Sequence, residues 1–252
     1  MAEHIVAEQE RRRNLPTLAG PSSFEVFDNI PEVFAFAIGE GGAYLWQGRH
    51  LQEHLRVIFG HNDAPTIRDY LGETLAEERL GVLQPVLEDG RPITFFEMLQ
   101  GVRRRTRAWK LDPKEFGKHG WFVVISPEVR RASDTDQHRT LRGGVLGDLT
   151  RLTARELIVL RRTAEGLSAS EVARLEFRSV KTIENQLQAI HAKLGLANRA
   201  ELVRHACERG LLAFTPEEWS SIVEQASNGL RSRPATEVGA CEDDDPTTIA
   251  AP

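Results

Sequence analysis

The chain has 252 residues, 40% hydrophobic and 27% charged, with a formal net charge of −5, ordinary values for a globular protein of one large domain or two small ones. No apolar run approaches the roughly 20 residues of a membrane span, and the opening MAEHIVAEQERRRNLP has no apolar stretch of the kind a secretory signal needs. The two cysteines, Cys207 and Cys241, fit neither a disulfide framework nor a zinc-ligand spacing, so free thiols and a cytoplasmic location are expected.

Residues 1–20 read as an N-terminal polar helix or tail, HIVAEQERRRNL, closed by Pro16 and Gly20-Pro21. From residue 24 to 128 the texture changes. Val33 to Ile38 (VFAFAI) is a strand-like run, followed by the turn-rich Gly39-Glu40-Gly41-Gly42 and a second strand candidate, AYLWQ. Residues 49–59, RHLQEHLRVIF, carry Leu51, Leu55 and Ile58 at helical spacing. A second helix, AEERLGVLQPVLEDG, should be interrupted at Pro85 and closed by Gly90. Three strand candidates follow: PITFFEML, VRRRTRAWKL and GWFVVIS. Two strands, helices, then three strands predict an α+β domain, an antiparallel sheet with flanking helices. Alternation along the fourth strand places Arg103, Arg105 and Arg107 on one exposed face, read as solvated rather than as a partner contact. Trp46, Trp109, Trp121, Phe34, Phe36, Phe95 and Phe96 read as core, with a small apolar pocket as the alternative.

Residues 129–149 lack a pattern and read as a linker. Beyond them the chain turns purely helical, and its charge changes sign: residues 150–213 carry 11 Lys/Arg against 7 Asp/Glu, whereas residues 214–252 carry 2 against 8. A local positive surplus suits phosphate contact, because the attraction fades within about 10 Å at ordinary salt.

Helix start and stop signals are dense here. Thr153-Ala-Arg-Glu156 and Ser168-Ala-Ser-Glu171 are capping boxes, Ser179 and Asn198 can cap two further helices, and Gly166, Gly195 and Gly210 are stops. Two short helices joined by Glu176-Phe177-Arg178 make a helix-turn-helix. In the third helix Ile183, Leu187, Ile190 and Leu194 form the buried stripe. Lys181, Glu184, Asn185 and Gln188 share another face, where amides can bond adenine and a carboxylate can accept from cytosine. The first turn, with Ser179, Lys181 and Thr182, offers hydroxyls, a cation and free amides to a phosphate. Residues 214–228 form an accessory helix capped at Thr215, with Trp219, Ile222 and Val223 on its apolar side; packing or dimerisation is the preferred role and docking to RNA polymerase the alternative. Residues 229–252, rich in Pro, Thr, Ser and acid (CEDDDPTTIAAP), form an acidic tail too polar to order itself.

Residues 152–212 resemble the LuxR-type (NarL/FixJ-type) DNA-binding domain at nearly every motif position. The resemblance rests on Leu152-Thr153-Ala-Arg155-Glu156, Ala164-Glu165-Gly166-Leu167-Ser168, Glu171-Val172-Ala173, Ser179-Val-Lys181-Thr182-Ile183-Glu184-Asn185, Lys193-Leu194-Gly195 and Asn198-Arg199 with Glu201-Leu202-Val203. It implies base contacts from Glu184, Asn185 and Gln188 in the major groove. It implies phosphate contacts from Ser179, Lys181, Thr182, Gln186 and Lys193, and a homodimer formed through the fourth helix. Gln186 departs from the histidine usual in the family, and Glu184 is acid where relatives are often basic.

Residues 24–128 resemble a PAS domain through Asn29-Ile30-Pro31-Glu-Val33-Phe34, Tyr44-Leu45-Trp46-Gln47, Leu87-Glu-Asp89-Gly90-Arg-Pro92-Ile93 and Trp121-Phe122-Val123-Val124-Ile125-Ser126-Pro127. Such a domain implies signal sensing or dimerisation. No cofactor is predicted: the segment has no cysteine for a flavin adduct, and His50, His54 and His61 read as surface or core side chains rather than haem ligands. A small ligand stays open.

The whole therefore reads as a sequence-specific, double-stranded-DNA-binding transcriptional regulator. A regulator with a non-PAS ligand pocket and a non-DNA-binding scaffold are the alternatives. Acidic residues in the pattern of a phosphorylated receiver are absent, as is the aromatic and Asp spacing of an acyl-lactone pocket. No nucleophile–base pair, phosphate-cradling loop or metal cluster suggests an enzyme.

Overall fold

Five runs rich in aromatic and β-branched residues become five antiparallel strands in a computed structural model of the chain, which describes residues 24–59, 66–128 and 139–231, with side chains to 227. They are β1 (Phe34–Gly39), β2 (Tyr44–Gln47), β3 (Ile93–Leu99), β4 (Val102–Lys110) and β5 (Gly120–Pro127). All five fall on the strand candidates read from the sequence. A short β6 (Arg139–Thr140), within the span read as linker, adds to β3 in parallel, giving the order β2-β1-β5-β4-β3-β6. The antiparallel 2-1-5-4-3 core of that order, with helices between β2 and β3, is the PAS-like arrangement.

The β3–β4 hairpin turns on Gln100 and Gly101, with φ of 53° and 73°. Two successive positive φ values match the right-handed strand twist. Gly101 is also pressed against a neighbour: a Cβ there would stand 2.7 Å from the Leu146 carbonyl.

One sheet face is covered by α1 (Arg49–Phe59), α2 (Ile67–Leu71) and α3 (Glu73–Asp89). Leu51, Leu55, Ile67, Leu80, Leu83 and Val86 pack there on Phe36, Phe95 and Val123. Thr66 and Asp69 form a capping box that starts α2. The other face holds Phe24 stacked on Phe122 at a centroid distance of 3.8 Å and on Phe116 at 5.6 Å. Phe116 belongs to α4 (Pro113–Phe116), capped by Asp112.

Two sequence expectations fail here for identifiable reasons. Pro85 does not interrupt its helix: α3 runs unbroken from Glu73 to Asp89. The carbonyl that loses its donor belongs to Gly81, four residues earlier, and both residues lie on the exposed side of α3, where water can serve that carbonyl. Nor do Arg103, Arg105 and Arg107 share a solvated face. Arg107 is exposed, Arg105 is half-buried, and Arg103 is 2% exposed beneath the helical module. Its guanidinium lies 3.8 Å from the Phe96 ring centroid and 5.3 Å from that of Phe214. The neighbouring Arg104, also buried, donates to the Glu32 carbonyl at 3.0 Å.

The helical module comprises α5 (Ala154–Ala164), α6 (Ala169–Leu175), α7 (Val180–Leu194) and α8 (Arg199–Glu208), followed by α9 (Pro216–Arg231). Leu157, Leu160, Val172, Ile183, Ile190, Leu202 and Ala206 make its core. The apolar side of α9, Trp219, Ile222 and Val223, is buried in that same core, and Trp219 donates to the Leu157 carbonyl at 3.2 Å. That burial accounts for α9 as a packing helix. Met98 of β3 enters the same cluster, so the sheet and the module share apolar contacts. The connecting stretch is held as well: Glu78 of α3 accepts the Arg142 and Gly143 amides at 2.8 and 2.9 Å, and Val145 donates to the Met98 carbonyl at 2.9 Å.

Candidate nucleic-acid interface

Each helix of the module starts where its cap stands. Thr153 and Ser168 accept amides from Glu156 and Glu171, whose side chains accept the cap amides in return. Ser179 accepts the Thr182 amide at 3.1 Å and shares a 2.8 Å hydroxyl contact with it. Asn198 accepts the Glu201 amide at 3.0 Å. Local caps of this kind are worth about 1 kcal/mol each, and they fix where α6 ends and α7 begins. Between them Phe177 adopts φ 52°, and the Arg178 amide returns to the Ala173 carbonyl at 2.8 Å.

α7 then divides as its sequence requires. Ile183 and Ile190 are fully buried, with Leu187 and Leu194 half-buried against the same core. Lys181, Glu184, Asn185 and Gln188 are all exposed on one face. Lys181 lies 3.9 Å from Glu184, a loose contact between two well-exposed groups that leaves the ammonium available. Ser179 is exposed, and Thr182 and Gln186 are half-buried beside this face. Seven of the eight residues singled out from the sequence are thus gathered on the first two and a half turns of one helix and its cap.

The eighth, Lys193, is set apart. It lies in the last turn of α7 and donates to both oxygens of Glu156, at 2.9 and 2.7 Å. No spacing along the chain signals this pair, since its partners sit on different helices.

Three apolar side chains, not singled out from the sequence, lie beside this exposed face. Leu175, Phe177 and Val180 are 45%, 92% and 44% exposed around the turn. Arg178, between them, is exposed too. Their signal was present, because a Phe between Glu and Arg in a three-residue turn has no core position to occupy.

The sheet domain holds a second feature. A small open-mouthed, apolar cavity lies between the sheet and α1–α3. Phe34, Phe36 and Phe95 line it, as does His54. Trp46 and Trp109 pack on the opposite sheet face, while Trp121 and Phe96 are simply buried. His50 contacts Glu53 at 3.7 Å, and His61 lies outside the described residues. The His54 ring nitrogen Nε2 is 2.9 Å from the Tyr70 hydroxyl, which also accepts from Gln100 at 3.1 Å. Burial, then the nearby Arg104 charge, push the His54 pKa below its ordinary value. The ring is therefore predominantly neutral at pH 7 and shares a hydrogen bond with the Tyr70 hydroxyl through Nε2. No helix among the described residues is long and apolar enough to cross a membrane.

Residues 150–206 match the family model described as bacterial regulatory proteins, luxR family. A putative HTH-type transcriptional regulator of Mycobacterium bovis is 44% identical over 59 residues, which are 23% of this chain and 7% of that protein. The oxygen regulatory protein NreC of Staphylococcus aureus is 43% identical over 63 residues, 25% of this chain and 29% of that one. The chain thus spans less than a third of the length of either relative. Among solved structures, the Vibrio cholerae VqmA–ligand–DNA complex aligns over 77% of this chain and 90% of that one, at 16% identity and a TM-score of 0.38. The PAS domain of histidine kinase ThkA aligns over 38% and 98%, at 15% and 0.29.

Proposed function

We infer that this chain, whose residues 150–206 form a LuxR-type helix-turn-helix domain, is a sequence-specific DNA-binding transcriptional regulator. The carrying observation is the exposed face of Lys181, Glu184, Asn185 and Gln188 on a helix whose opposite side is locked into the module core. Glu184, Asn185 and Gln188 read base edges in the major groove, the amides suiting adenine and the carboxylate cytosine. Ser179, Lys181, Thr182 and Gln186 hold phosphates around the N-terminus of α7, where backbone amides and the helix dipole favour an anion. Lys193 has one ammonium N–H left beyond the two on Glu156, so its phosphate contact is the weakest of the set.

The PAS-like domain is the sensor, and the protein acts as a homodimer on a two-fold operator. The open cavity between sheet and helices supports sensing over a purely dimerising role. Its function is regulatory rather than enzymatic.

Selection from randomised duplexes with the full chain tests the proposal. An enriched, two-fold-related motif bound at nanomolar to tens of nanomolar protein is expected, in line with about 10⁻⁸ M or better for specific complexes. Recovery of no motif, with binding equal across sequences, overturns it.

A further inference from the structure

One helix end in the module is built differently from the others. α5, α7 and α8 each run out into a glycine of positive φ, Gly166 at 94°, Gly195 at 66° and Gly210 at 68°. Glycine is usual there because a Cβ is strained in the left-handed region. α6 runs out instead into Phe177, at φ 52°. A bulky aromatic residue is poorly suited to that backbone. Burial does not offset the strain, since Phe177 is 92% exposed. A strained backbone that carries an exposed ring points to a contact outside the chain.

The surroundings narrow what that contact is. Leu175 and Val180, 45% and 44% exposed, extend the apolar surface to either side. The charges interleaved with it are basic. Arg174, Arg178 and Lys181 are exposed, and the one acid between 174 and 181, Glu176, is half-buried with its carboxylate 3.5 Å from Arg162. Three apolar side chains broken up by cations are too few and too charged for a stable protein–protein contact, which takes roughly 20–30 residues a side. They suit the wall of a DNA groove, where phosphates lie outside and thymine methyls inside. Phe177 is also two residues from the Ser179 cap, at most about 7 Å of backbone from the start of α7. The patch therefore adjoins the exposed face of Lys181, Glu184, Asn185 and Gln188.

We propose that Phe177 is a specificity-determining residue, its ring packed on the methyl group of one thymine at the edge of the bases that α7 reads, with Arg178 on the flanking phosphate. The inference rests on the DNA-binding reading of α7, and it adds a base preference that hydrogen bonds from α7 do not supply.

Selection from randomised duplexes is run with the full chain and with its Phe177→Gly and Phe177→Asn variants, both of which accept a positive φ. The wild-type chain selects a thymine at one fixed position of each half-site. Both variants lose that preference and keep the rest of the motif. Deoxyuridine at that position removes only the methyl; it weakens wild-type binding about fourfold, the equivalent of one buried methyl group, and variant binding by less than about 1.5-fold. Asn185→Ala keeps the methyl effect, which separates the ring from the amides of α7. Both Phe177 variants unfold in urea at the wild-type midpoint or above it, because the strained backbone is relieved. A lower midpoint makes the ring a structural support and overturns the proposal. So does a motif without such a thymine, or a methyl effect that survives Phe177→Gly. Loss of the dimer with the motif intact overturns it too, and assigns the patch to a second copy. If the wild-type chain enriches no motif, the DNA-binding reading falls and this inference with it; if all three chains enrich the same motif, this inference alone falls.

Discussion

Lys193 in the last turn of α7 grips the same carboxylate that caps α5. Glu156 accepts from Lys193 at 2.9 and 2.7 Å and from the Thr153 amide at 2.7 Å. One side chain thereby closes the start of the module onto the end of its recognition helix, and fixes the axial position of α7 relative to α5. With Lys193→Met the carboxylate, 8% exposed, keeps only its local cap. The expected loss is about 1–3 kcal/mol, nearer the lower end because Lys193 itself is a third exposed. Urea unfolding at pH 7 measures it.

The same pair predicts a pH dependence. Burial by itself pushes the Glu156 carboxyl up, but the hydrogen bonds from Lys193 and Thr153 outweigh it and hold the pKa below its ordinary value. A folded pKa depressed in this way stabilises the protein fully above the unfolded carboxylate value of about 4.3, and that contribution disappears as pH falls through the lower folded value. The stability gap between wild type and Lys193→Met should therefore close as pH is lowered from about 5 to about 3. A gap that stays constant, or widens toward acid, would remove the Lys193 bond as the source.

Lys181 and Asn185 should separate affinity from specificity. Lys181 is 76% exposed near the N-terminus of α7, so Lys181→Ala weakens binding to all duplexes alike and reduces the slope of log K against log salt by about one. Asn185→Ala instead costs about 1–3 kcal/mol at one base pair and relaxes preference there. Fluorescence anisotropy at four salt concentrations on matched and mismatched duplexes checks both. An unchanged slope for Lys181→Ala would refute the placement of this face on the backbone.

Arg103 joins the two halves of the molecule. Its side chain lies between Phe96 of the sheet and Phe214 before α9, its Nη1 donates to the Glu128 carbonyl at 2.9 Å, and its amide donates to the Arg209 carbonyl at 2.9 Å. Arg103→Ala keeps the backbone bond but deletes the Nη1 bond to the Glu128 carbonyl and two cation–π contacts, each of the latter about 0.5–2 kcal/mol. Faster amide exchange is expected at Leu211–Ala213 and in the first turn of α9, with the protection of α7 unchanged. Equal acceleration throughout the module would mean that Arg103 supports global stability rather than the contact between sheet and module.

The contrast between Arg103 and Thr153 indicates which parts of this fold are legible in sequence. Caps bind within four residues, so Thr153, Ser168, Ser179 and Asn198 announce their helices, and the apolar stripe of α7 repeats within a single element. The five strands were legible for the same reason, each being a local run. Arg103 broke the alternation rule because a distant segment, Leu211–Phe214, covers it. Pro85 broke the helix-stop rule because Gly81 and Pro85 share a wet face. The Arg79–Glu97 pair of α3 and β3 and the Lys193–Glu156 pair join separate elements, and no spacing along the chain encodes them. β6 has two residues and borrows its order from the edge of β3, leaving nothing to detect. The exposed polar face of α7 was therefore readable from sequence, whereas the sheet-domain cavity needed the packed structure.

The two-fold arrangement can be tested through Cys207. In α8, Leu202 and Ala206 face the core, while Ala200, Arg204 and Cys207 are exposed at i, i+4 and i+7 on one side. If that side forms an isologous contact, each residue near the axis meets its own counterpart in the second copy. Cys207 is an exposed free thiol, so in a Cys241→Ser background a short bismaleimide should link two chains through Cys207 alone. The linked species should increase when a duplex carrying two half-sites is added, since DNA holds both modules in register. Arg204→Glu should suppress it by placing like charges across the axis, with monomer unfolding unaffected. Sedimentation of a dimer that yields no Cys207 link, with or without duplex, would move the dimer contact away from α8 and onto the sheet domain.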